Sequence, residues 1–138
     1  MRHVLTFFVS ILIVIHLYFF TVEAVLWESD PETRHRLGFN RDDPKEVAEV
    51  AKVAKNQGVS NALLASGLAW GLWGWRRGTP IGYPVLACFL IFIAIAGLVG
   101  YATIRPTDPI ATGGFLVGQT GLAVLGLLCL RLTKAPAN

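Results

Sequence analysis

VLTFFVSILIVIHLYFFTVEAVLW, residues 4–27, is the stretch whose reading decides the fold. It is apolar over most of its length, yet it carries His16 and Glu23. On a helix His16, Phe20, Glu23 and Trp27 stand at i, i+4, i+7 and i+11 and share one narrow face. The surroundings are too apolar for a soluble helix. Ionisable residues inside a membrane span are costly, so by default they mark a functional site.

Outward from that stretch, Met1-Arg2-His3 and the small residue Ala24 give the outline of a secretory signal peptide. The run is longer than an ordinary signal core and is interrupted by His16, so the reading is a retained span. Further apolar runs follow at about 59–75, 81–104 and 110–132, each near the roughly 20 residues needed to cross a bilayer. The 138 residues are 54% hydrophobic and only 15% charged, with mean hydropathy +0.55. A soluble domain carries about a quarter charged residues. The expected fold is therefore an all-α integral membrane protein: one domain over 1–138, a four-transmembrane-helix bundle. A net charge of +3 does not make a nucleic-acid binder, because the basic residues form no continuous stripe. The lipid bilayer is the expected partner.

Residues 28–58 change character. Asp30-Pro31 and Gly38 are turn signals. Asp42-Asp43-Pro44 with Glu46 reads as a capped helix start. Val47, Val50, Ala51 and Ala54 then repeat at helical spacing opposite a charged face. The expectation is a polar, interfacial helix in the first loop, or a water-exposed start to the second span. That span ends in Trp70, Trp73, Trp75 and Arg76-Arg77, a boundary signature. Arg105-Pro106 stops the third span, and Arg131 and Lys134 close the fourth. Arg2, Arg76, Arg77, Arg131 and Lys134 on one side place both termini inside, although the first loop holds six Lys/Arg beside seven Asp/Glu. Small residues at Gly58, Ala62 and Ser66, at Gly67 and Gly71, and at Gly114 and Gly118 read as helix-packing rows first, and as a face for a homo-oligomer second.

The polar residues concentrate at mid-span or in the half of the membrane that holds Glu23. Glu23 lies roughly 10 Å beyond His16 along the first helix. Gln57 and Asn61 share a face at the start of the second span, and Gln119 lies near the level of His16 in the fourth. Buried polar groups need partners, so His16, Glu23, Gln57, Asn61 and Gln119 are expected to cluster, with Phe20 and Trp27 beside them. A His–Glu pair two turns apart leaves space between them for a ligand or water.

Three functions are compatible with that cluster. One is binding of a small hydrophobic or amphipathic molecule. Another is acid–base catalysis on a lipid-like substrate, of the isomerase or epoxide-opening type, with His16 and Glu23 handling protons. The last is a packing or assembly subunit held by inter-helix hydrogen bonds. One His, one carboxylate and neutral amides make a poor zinc set, and no Ser or Cys has a basic neighbour. No metal and no cofactor is expected. Cys88 and Cys129 sit in apolar runs without ligand spacing and read as buried thiols. Inverted-repeat transporters need more spans than four.

His16-Leu-Tyr18, Glu23 and Trp27, followed by Asn56-Gln57-Gly58-x-x-Asn61, resemble the small bacterial membrane proteins of the domain of unknown function 1304 family. Leu63-Leu-Ala-x-Gly67-Leu-x-Trp70-Gly71 and the pair Gln119 and Ala123 extend the resemblance over most of the chain. Ser60 stands where the family pattern has an aromatic residue, and the first loop is more polar, differences that bear on pocket shape. The resemblance implies four membrane helices, and with its bacterial members an inner-membrane location. It brings no activity.

Overall fold

A computed structural model describes residues 1–36, 39, 42–103 and 113–133. Gly38, the 105–109 stop, the ends of the third and fourth spans at 104 and 110–112, and Lys134 lie outside the described residues. All regular structure among the described residues is helical. Helix α1, Arg2–Phe20, runs directly into a π-helical segment, Thr21–Leu26. Helix α2 is Pro31–Arg36, α3 is Pro44–Arg76 and α4 is Gly82–Thr103. A second π-helical segment, Gly114–Gly121, continues into α5, Leu122–Leu132.

Two helical stretches, Arg2–Leu26 and Gly82–Thr103, are long and apolar enough to cross a membrane, and Leu116–Leu132 is a shorter apolar helix. Helix α1 packs on α3 and α5, and α4 packs on α3 and on both parts of the last helix. Each element contributes one stripe to the shared interior. In α1 that stripe is Leu5, Val9, Leu12 and His16, at helical spacing. Thus His16 is the polar end of an apolar row. In α3 the stripe runs through Gly58, Asn61, Ala65, Leu68, Leu72 and Trp75.

Helix α3 starts where the local chemistry says it should. The Asp43 carboxylate accepts from the Lys45 backbone N–H at 2.8 Å, and Pro44 takes the first turn, where its missing N–H costs nothing. It then runs unbroken for 33 residues. The charged segment is therefore no separate interfacial helix but the start of the helix that carries Asn61. Gly58, the residue that could have divided it, is held by packing. A Cβ there would lie 2.8 Å from the Cβ and the backbone N of Ala24, so the glycine lets the two helices meet at backbone distance.

One expectation drawn from apolar context is corrected. Cys88 is exposed and only Cys129 is buried. Helix α4 is apolar all round and buries Leu86, Leu90, Ile93 and Gly97, and hydropathy cannot tell that face from the one bearing Cys88. Of the three boundary tryptophans, Trp70 and Trp73 are exposed, but Trp75 is 2% exposed and fills the core. Arg77 lies 4.8 Å over the Trp73 ring, a cation–π contact.

Candidate functional site

The polar residues of α1 and α3 meet where the first helix widens into its π-helical segment. The wider turn carries Glu23, while His16 is still on the regular helix. Between them sits Asn61 of α3. His16 Nδ1 and Asn61 Oδ1 are 2.7 Å apart, and Asn61 Nδ2 donates to Glu23 Oε2 at 2.8 Å. The space expected between the imidazole and the carboxylate is therefore filled by one carboxamide. His16 is 1% and Asn61 4% exposed, while Glu23 is half-buried.

The chain of bonds has a direction. A carboxylate only accepts, so the Asn61 NH2 group faces Glu23 and its oxygen faces His16. That oxygen requires an N–H at Nδ1. In the neutral ring Nε2 is then the lone-pair acceptor, and among the described residues it has no hydrogen-bond partner.

His16, Asn61 and Glu23 line a cavity of about 960 Å³ together with Gln57 and Gln119. Gln119 is buried and comes from the second π-helical segment. Both π-helical segments thus present a polar residue to one cavity, and such widened turns recur at functional sites. Gln57 shares the face of Asn61 but is exposed. The rest of the lining is mostly apolar, with Leu63 and Leu64 of α3 and Phe92, Ile95 and Val99 of α4 beside the hydroxyl residues Ser60 and Thr103. Leu63, Phe92, Ile95 and Val99 are also exposed, so the cavity opens sideways between α3 and α4.

Two members of the expected stripe go elsewhere. Phe20 is half-buried and does not line the cavity; Phe19 does. Phe19 stands at i+3 from His16, a spacing as good as i+4, and the wider π turn ends the regular period immediately beyond. Trp27 packs on Ala51 and Ala54 and meets the Phe39 ring at 5.5 Å between centroids, forming a second small core beyond the cavity.

Arg34 was not singled out by the sequence reading. It is 4% exposed and donates from Nη1 to the carbonyls of Trp27 at 2.8 Å and Glu28 at 3.3 Å. Its Nη2 lies 3.3 Å from Asp42, and Lys55 reaches Glu28 at 2.7 Å. A cation satisfying the last carbonyls of a helix is its sequence signal. The first loop is thereby fastened to the turn after Glu23.

Residues 10–131 match the model of the family described as Protein of unknown function (DUF1304). The chain belongs to that family. No curated protein and no solved structure matches it. The DUF1304 match spans His16, Glu23, Asn61 and Gln119 and names no reaction for them. Ser60 turns its hydroxyl back to the Asn56 carbonyl at 3.0 Å. It lines the cavity where a ring would take up room.

Proposed function

We propose that this DUF1304 protein is a four-span membrane protein that binds a small hydrophobic or amphipathic molecule between its helices. The spans are those read at about 4–27, 59–75, 81–104 and 110–132. They lie in the bacterial inner membrane with both termini inside, and the cavity is in the outer half. The observation that carries the reading is the contrast between the cavity's walls. A hydrogen-bonded row of His16, Asn61 and Glu23 shares a space of about 960 Å³ with Phe92, Ile95 and Val99. Ligand pockets are mostly apolar with a few placed polar groups, and run to about 1,000 Å³. The sideways opening suits a molecule that arrives dissolved among acyl chains.

A second reading is favoured by one observation. The carboxylate of Glu23 and the imidazole of His16 line the same space, so two groups that can take up a proton and give it back are offered to whatever occupies it. An isomerase or epoxide-opening enzyme acting on a lipid-like substrate would use them in that way.

Native mass spectrometry of the detergent-purified protein, beside His16→Ala and Glu23→Gln, tests the binding reading. Glu23→Gln keeps an acceptor for Asn61 and removes only the charge. The expected result is a co-purifying small molecule on the wild type that is lost in either variant while the helical circular dichroism is retained. Empty wild type with both variants unfolded would instead make the row an inter-helix packing device. Turnover of the identified molecule by the wild type alone would establish the enzyme reading.

A further inference from the structure

We propose that the molecule held in this cavity is a lipid-soluble alcohol, an apolar body with one hydroxyl that donates to His16 Nε2. The inference rests on the binding reading above and names its chemistry. It starts from the direction of the hydrogen bonds. Asn61 is held by Glu23 with its oxygen toward His16, which puts the ring proton on Nδ1 and the lone pair on Nε2. His16 is 1% exposed, and Nε2 has no partner among the described residues. A buried acceptor of this kind is completed by a donor. An ether, ester or ketone brings only further lone pairs.

The charge of the head follows from its surroundings. Among the described residues the cavity is lined by one carboxylate and by no Lys or Arg. Along the described lining a fatty carboxylate or a phosphate would therefore meet the like charge of Glu23. An ammonium donating to His16 Nε2 would lose its hydration and still stand off from Glu23 by the width of the Asn61 carboxamide. A hydroxyl gives up one hydrogen bond to water and regains it at Nε2. The body of the molecule then lies along Phe19, Leu64, Phe92, Ile95 and Val99, all on the cavity wall.

The test is equilibrium binding of radiolabelled 1-tetradecanol to the full chain in detergent, competed by unlabelled 1-tetradecanol, 1-methoxytetradecane and tetradecylamine. Ala96→Phe, which places a ring on the cavity wall, corrects for partition into micelles. The wild type should prefer the alcohol to the methyl ether by about tenfold or more, the worth of one buried hydrogen bond. His16→Phe should bring that ratio close to one with its helical signal intact. The wild-type ratio decides the matter even if that variant does not fold. Equal binding of alcohol and ether, both lost in Ala96→Phe, would overturn the hydroxyl and leave the binding reading standing. Tighter binding of the amine than of the alcohol would overturn it in favour of a cation. No binding above the Ala96→Phe background by any of the three would overturn both.

Discussion

Helices α3 and α4 are packed together at one end and held apart at the other. At the Arg76 end the backbones touch: a Cβ on Gly71 would lie 2.8 Å from the Leu86 backbone N, and one on Gly82 would lie 2.1 Å from that of Trp75. Toward Thr103 the residues along the cavity are Leu64 and Leu63 on one helix and Phe92, Ile95 and Val99 on the other. Side chains of that size hold helix axes apart, whereas glycines bring them together. One helix pair thus forms a rigid hinge-side and an open slot, by the distribution of small and large residues alone. In the proposed membrane setting apolar burial between helices adds little, because lipid is as apolar as leucine, and close packing carries the association. The tight end therefore holds the assembly, and the open end is free to be shaped for a ligand.

The comparison breaks most visibly at Gly82. Gly82→Val pushes a side chain into backbone that cannot yield, and a loss of about 3 kcal/mol or more is expected. Thermal unfolding followed by circular dichroism reads it, and a wild-type midpoint would show that the tight end is not tight. Asn61→Leu, at the open end, removes both inter-helix bonds at a cost of about 1–2 kcal/mol. Its larger effect is expected on ligand retention in native mass spectrometry. Full retention would mean that the orientation of His16 is irrelevant to binding. Gly78, at φ 70° in the turn that joins the two helices, is a milder site. Gly78→Ala should cost about 1 kcal/mol in the same melts. The smallest effect belongs to Gly118, where a Cβ meets nothing within 4 Å. Gly118→Ala should be neutral or gain a few tenths of a kcal/mol from helix propensity. A marked loss there, together with a change in oligomeric state by light scattering, would reveal a second copy packed on that face.

What could be read ahead of the structure was whatever local chemistry decides. Asp43 and Pro44 start a helix because a cap and a missing N–H are properties of two adjacent residues. The helical character of the chain follows from its long apolar runs in the same way. What escaped depended on residues distant in sequence. Gly58 reads as a packing residue, but that its partner is Ala24 needed the fold. Cys88 reads as buried in a helix whose faces are all apolar. The wide turn at Thr21–Leu26 has no residue signature, so Trp27 was drawn onto the face of His16 by a period that stops short of it, while Phe20, still on the regular helix, gives way to Phe19 at i+3. His16, Asn61 and Glu23 were each conspicuous as polar residues in apolar company. That Asn61 would stand between the other two needed the crossing of α1 and α3.

That intermediary sets a limit on any chemistry at the site. A carboxamide can pass orientation from one neighbour to the next, but at ordinary pH it neither takes up a proton nor gives one away. Glu23 and His16 are thereby aligned with each other and yet insulated for charge. A hydron leaving Glu23 must travel through a guest molecule or through water to arrive at His16. If turnover is found, label delivered by the acid and label removed by the base will form two separate pools. Solvent isotope exchange should then report them as two independent events.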